Sequence, residues 1–328
     1  MRIRMTFAAA LGAMTLLGTT LPAAAMALPD ATVSGDYSER LDALWTFEQP
    51  AGSETRFRTE AARHAPGSRE AAEAATQIAR ALGLQRRFAD ADRTLDAVKL
   101  TLARQPPRVR VRYLLERGRR DNSSGRPGKA FAWFEQALIA SADDALPGAD
   151  FYRVDALHML AIAAPASRQL ALNLRALAAA DAAQDARTRG WRAPLLNNLG
   201  WTMHERGDYP AALAYWRDAL AAFEAKGDVR STRIARWTVA RGLRSVGRLD
   251  EAEAIQRALA DELDAAHAPD GYVFEELAEI AVARGDRSAA QPWAAKAVAL
   301  LSKDTDFRAS EPGRLARLAD LAQGVAPR

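Results

Sequence analysis

Apolar residues along most of the chain recur at the three- and four-residue spacing of an amphipathic helix, in blocks long enough for helices and too long for strands. The sharpest block runs Leu196-Asn197-Asn198-Leu199-Gly200-Trp201-Thr202-Met203. Gly207-Asp208-Tyr209 then breaks it, and Ala212, Leu213, Trp216, Ala219 and Leu220 set a second stripe. Two helices are predicted, roughly 192–206 and 210–225, with Gly207-Asp208 as the turn. Small residues let such a pair approach closely, and large ones fill the space beside them.

The hairpin recurs. With the small residue early in each second helix as marker, the series is Ala91, Ala130, Ala171, Ala212, Ala252 and Ala290, at intervals of 39, 41, 41, 40 and 38 residues. Gly125, Gly207, Gly247 and Gly285 each stand five residues before a marker. Pro106-Pro107, Pro147-Gly148, Lys226-Gly227-Asp228 and Pro269-Asp270-Gly271 punctuate the loops. About six hairpins are predicted over 68–303, preceded by capping helices over 37–66 and followed by one over 309–324, where Pro312 occupies a first turn. The third hairpin is about two residues short around Pro165. An all-α, right-handed solenoid follows.

These residues resemble the tetratricopeptide repeat. Leu196, Leu199, Gly200 and Met203 match the first-helix positions of that family, and Ala212, Trp216 and Ala219 the second-helix positions. Met203 stands where the family prefers an aromatic, and no proline closes this unit. The period of about 40 exceeds the ordinary 34 and is similar to the longer-helix variety found in kinesin light chains. A HEAT-type array has a similar period, but Leu199-Gly200 and Gly207-Asp208-Tyr209 favour the tetratricopeptide pattern.

The resemblance implies a concave face lined by the first helices, and with it a site for a protein or extended peptide. Beside the core stripe of helix 192–206 lie Asn197, Trp201 and His204. One repeat later the same face carries Trp237, Arg241 and Arg244, and in the last repeat Glu275 and Glu279. Upstream it carries His158 and Ile162, then Arg119 and Asn122, although Arg117 and Asp121 then fall on core positions, as Arg236 does later. Asn198 occupies the place where peptide-binding members carry an asparagine. Amides suit a peptide backbone, arginine a carboxylate, and tryptophan an apolar side chain. The paired lysines of the carboxylate-clamp type are absent. Other roles for the same residues are packing of Trp201 and Trp237 between repeats, backbone bonding by the asparagines, packing by the histidines, and a solvated face for Glu275, Glu276 and Glu279.

Composition narrows the classes. The 328 residues contain no cysteine, so no disulfide, thiolate metal site or cysteine nucleophile exists. Residues 1–27 read as a signal peptide: Arg2 and Arg4, an apolar run from Thr6 to Leu21, then Pro22 and Ala25-Met26-Ala27, with cleavage after Ala27 or Ala25. Residues 28–36 link it to the first helices. A periplasmic or secreted product is expected, with no membrane insertion after cleavage. The 45 basic and 41 acidic residues give +4; Arg2 and Arg4 lie in the leader, so the rest carries 43 against 41. With charges interspersed, nucleic acid is not an expected partner. The four histidines show no HExxH spacing, and GxSxG and Gly-rich phosphate loops are absent. No catalytic residue, metal or cofactor is therefore predicted. A periplasmic module for a small molecule or cell-wall fragment is the alternative to a peptide scaffold.

Overall fold

The computed structural model describes residues 36–47, 49–143 and 145–325; the signal peptide read over 1–27 and most of the linker lie outside them. Two compact units divide the chain at Arg192/Ala193. No strand occurs among the described residues, and no described helix is long and apolar enough to cross a membrane.

In the first unit, α1 (Tyr37–Asp42) and α2 (Pro50–Ala61) precede three hairpins. These are α3 (Arg69–Leu84) with α4 (Phe88–Lys99), α5 (Pro107–Ser123) with α6 (Pro127–Ala140), and α7 (Ala149–Ala163) with α8 (Ala166–Ala182). A single turn, α9 (Ala186–Arg189), follows. The second unit holds α10 (Arg192–Glu205) with α11 (Tyr209–Ala225), α12 (Val229–Ser245) with α13 (Leu249–Ala265), and α14 (Gly271–Ala283) with α15 (Arg287–Leu301). It ends in α16 (Thr305–Ser310) and α17 (Pro312–Ala322), the latter packed on α15.

The turns explain where helices stop. Gly125, Gly207, Gly247 and Gly285 all take φ between +79° and +82°, the left-handed conformation that satisfies a helix's last carbonyls. After Gly207 and Gly285, Asp208 and Asp286 accept backbone N–H bonds from Ala211 and Ala289 and open the next helix. In the first hairpin that turn position is Arg86, at φ 59°. In the third it is Ala164, in extended conformation before Pro165, because the proline ring disfavours the helical region for the residue ahead of it.

Pro165 also shifts the register, which corrects one marker. Ala171 is exposed. The buried residues of α8 are Leu172, Asn173, Ala176 and Ala180, so Gln169 takes the marker's place. The other markers, Ala91, Ala130, Ala212, Ala252 and Ala290, are fully buried. Four residues after each marker stand Leu95, Phe134, Asn173, Trp216, Gln256 and Ala294, all buried. Twelve before stand Ala79, Gly118, Leu157, Gly200, Ala240 and Ala278. The two sets are complementary in size: a Cβ on Gly118 would lie 2.2 Å from the Phe134 ring, and one on Gly200 2.3 Å from the Trp216 indole. The misfits noted at core positions are absorbed by ion pairs. Arg117 reaches Asp92 at 3.2 Å, Asp121 meets Arg120 and Arg126, and Arg236 meets Glu262 at 2.7 Å.

A candidate binding face on the first helices

Counting back from the corrected markers sorts the first helices into columns. Fourteen residues before each marker stand Gln77, Glu116, Asp155, Asn198, Thr238 and Glu276. All are polar and none is more than 4% exposed. Fifteen before stand Thr76, Leu115, Val154, Asn197, Trp237 and Glu275, also buried. Eleven before stand Arg80, Arg119, His158, Trp201, Arg241 and Glu279; all but Trp201 are half-buried. Eight before, His204 and Arg244 are half-buried too.

The face expected from periodicity therefore splits. His158, His204, Arg241, Arg244 and Glu279 keep part of their surface. Asn197, Asn198, Trp201, Trp237 and Glu275 lie inside the helix packing. A solvated face for Glu275 and Glu276 is incorrect: they are 3% and 1% exposed, each held by arginine. The role of Glu276, Glu116 and Asp155 as buried counter-charges was missed. The signal available was a polar residue in every repeat at one position, visible only once the register at Pro165 is corrected.

Buried polar side chains persist here because each meets a partner from a neighbouring helix. In the first unit, Arg119 donates to Glu116 at 2.6 Å within α5 and to Asp155 on α7. Burial favours the neutral forms, yet the Arg119 guanidinium holds the Asp155 carboxyl below the usual range. Arg80 on α3 lies over the rings of Trp45 and Phe47, at 5.5 and 5.3 Å. His158 packs on Trp191 at 5.1 Å, and burial lowers its pKa to about 4.

The second unit repeats the arrangement. Glu276 of α14 receives Arg244 and Arg241 from α12; the Arg241 Nη1 contact is long, at 3.5 Å. Burial raises the Glu276 pKa, but the two guanidiniums outweigh it and the group stays ionised. Glu275 is gripped by Arg314 of α17, and Glu279 meets Arg317. The Arg241 guanidinium lies 5.4 Å from the Trp201 ring and 5.8 Å from that of Trp237. Both indoles are anchored: Trp237 Nε1–H donates to the Tyr272 carbonyl at 3.0 Å, and Trp201 packs on Trp216, whose Nε1–H donates to the Asn197 carbonyl at 3.2 Å. His204 Nε2 lies 3.0 Å from Ser245 Oγ. Burial, then Arg241 and Arg244, depress its pKa to about 4, so the ring is neutral at pH 7.

A tetratricopeptide-repeat model matches residues 195–225, the hairpin α10–α11 built around Gly200 and Trp216. Residues 195–225 thus form a tetratricopeptide repeat. Known structures of similar fold share little sequence with this chain. NprR in complex with its cognate peptide NprX aligns at a TM-score of 0.57 and 15% identity, over 92% of this chain and 87% of that one. A Rap protein complexed with competence and sporulation factor aligns at 0.55 and 16%, over 88% and 84%. A signal-transduction ATPase with a tetratricopeptide repeat sensor, from Pyrococcus horikoshii, aligns at 0.60 and 13%, over 88% of this chain and 46% of that one. No curated protein matches the chain.

Proposed function

We propose that this protein is an exported, non-catalytic scaffold that holds a protein or extended peptide along its first helices. One observation carries the reading. Eleven residues before the marker, five of six repeats place a charged or imidazole side chain, half-buried, on a bed of fully buried polar residues. Core packing alone would favour apolar residues at both columns. A bed that fixes the side chains above it presents preorganised donors and acceptors, which lowers the ordering cost of binding. NprR and the Rap protein, similar in fold, are each bound to a peptide or factor, which supports the same use here. Export rests on the leader reading of residues 1–27.

Affinity capture from the exported fraction tests the reading, with wild type and a Trp237→Ala, Arg241→Ala variant checked for folding by circular dichroism. Wild type should retrieve partners that the variant loses; the same set from both would refute the face. Mass spectrometry of exported chain should find an N-terminus at Leu28 or Met26, and an intact leader would refute export by cleavage.

A further inference from the structure

Every charged side chain around Arg241 has a visible counterpart except one unit of positive charge. Arg314 and Arg317 of α17 are matched by Glu275 and Glu279 of α14. Arg241 and Arg244 of α12 share the single carboxylate of Glu276, and Arg244 takes most of it through Nε and Nη2. His204, the remaining titratable group against the pair, is neutral at pH 7. Arg241 is left with one 3.5 Å contact from Nη1, and its buried Nε–H has no acceptor among the described residues. Leaving a buried guanidinium donor unbonded is costly, and such a group calls for an explanation.

The Nε–H itself is buried, so a ligand would answer the uncompensated charge at the terminal nitrogens. Trp201 and Trp237 lie beside the guanidinium, which leaves the rim N–H groups to an acceptor. The two indoles are held in place by Tyr272 and Trp216, so the guanidinium sits in a rigid setting. Arg241 also keeps about a fifth of its side-chain surface, 19%, open to solvent. Burial, incompletely offset by Glu276 and worsened by Arg244 and Arg314, lowers its pKa, as expected for a cation lacking a full counter-charge.

Building on the proposed face, we infer that Arg241 is the receptor for a carboxylate of the bound chain, so that the ligand is an acidic peptide segment. A planar carboxylate accepts two parallel N–H bonds from a guanidinium rim and neutralises the excess charge. This receptor has no lysine and is supported by aromatic rings.

The probes are two acetylated, fluorescein-labelled hexapeptides, alternating Glu-Leu and alternating Gln-Leu, titrated by anisotropy at low salt. Wild type should bind the acidic peptide at least about tenfold more tightly, the range of a charge-assisted bond. Arg241→Gln should bring the two affinities together, while Arg110→Gln, at an exposed arginine, should leave the ratio unchanged. If Arg241→Gln fails to fold, Arg241→Lys carries the test through loss of the bidentate rim, with about a threefold fall in the ratio expected. Equal affinities in wild type, no binding of either peptide, or a ratio untouched at Arg241 would overturn the inference. A captured partner lost by the Trp237, Arg241 double variant would still uphold the face itself, so the two claims fail separately.

Discussion

Two helical glycines in this chain should answer the same substitution with opposite signs. Gly200 faces Trp216, and a Cβ there would sit 2.3 Å from Nε1, 2.4 Å from Cδ1 and 2.8 Å from Cε2. Ordinary contact begins near 3.4 Å, so the indole would have to retreat by about 1 Å. It has nowhere to go. Trp216 is fully buried and tied to the Asn197 carbonyl; Trp201 and His204 pack on it at 5.1 and 5.5 Å, and Gly242 closes its far edge. Overpacking of this kind costs about 1–3 kcal/mol, against up to ~1 kcal/mol of helix propensity gained by alanine. With an immobile ring the upper end applies, so Gly200→Ala should destabilise by roughly 2 kcal/mol net. Gly83, in α3, has nothing within 4 Å of its would-be Cβ, and Gly83→Ala should stabilise by about 0.5 kcal/mol. Urea titrations followed by far-ultraviolet circular dichroism would read both, and melting should fall by about 4–8 °C for Gly200→Ala. The first hairpin carries Ala79 and Leu95 at the two facing positions. Adding Trp216→Leu should therefore recover part of the loss, with a coupling of about 1 kcal/mol. A neutral or stabilising Gly200→Ala would refute the size-matching argument.

Three further outcomes follow from buried charge. Glu276→Gln strips the counter-charge from Arg241 and Arg244 at a 1%-exposed site and should cost about 3 kcal/mol in the same titrations; a loss below ~1 kcal/mol would contradict a strong pair. Burial raises the Asp270 pKa to about 6, so its stabilisation is complete below the unfolded value near 3.8 and is lost as pH rises through 6. Asp270→Asn keeps an acceptor for Tyr272 N–H and should stabilise by on the order of 1–3 kcal/mol at pH 7.5 but hardly at pH 4; equal effects at both pH values would speak against a buried carboxylate. His158 and His204 are depressed from 6.5 to about 4, so their stabilisation is full above 6.5 and fades as pH falls toward 4. His204→Asn should flatten that part of the stability profile, and an unaltered slope would exclude His204 as its source.

Much of the fold was legible because helix stripes and turn glycines are local signals. Gly207-Asp208 and Leu199-Gly200 fix a hairpin without knowledge of its neighbours. Arg86 and Ala164 were harder, since each takes the turn position with a residue that does not announce it. The site was read only in part. Periodicity brought Trp201, Trp237, Arg241 and Arg244 to one face, and the structure sets the two indoles against the Arg241 guanidinium and both arginines on the Glu276 carboxylate. It could not tell buried from half-buried within that face. Exposure there depends on which neighbouring repeat covers a side chain, as α14 covers Trp237 through the Tyr272 carbonyl. Glu276 looked solvated for the same reason: its two arginines stand 35 and 32 residues away.

The central claim is that ligand lies on the first helices, and hydrogen exchange of the complex addresses it directly. Amides of the captured protein or peptide complex would be compared with those of the free chain, helix by helix. Slower exchange concentrated in the first helices, α10, α12 and α14 above all, with α11, α13 and α15 little changed, is the predicted result. Protection confined to the second helices, with the first helices exchanging as in the free chain, would contradict it.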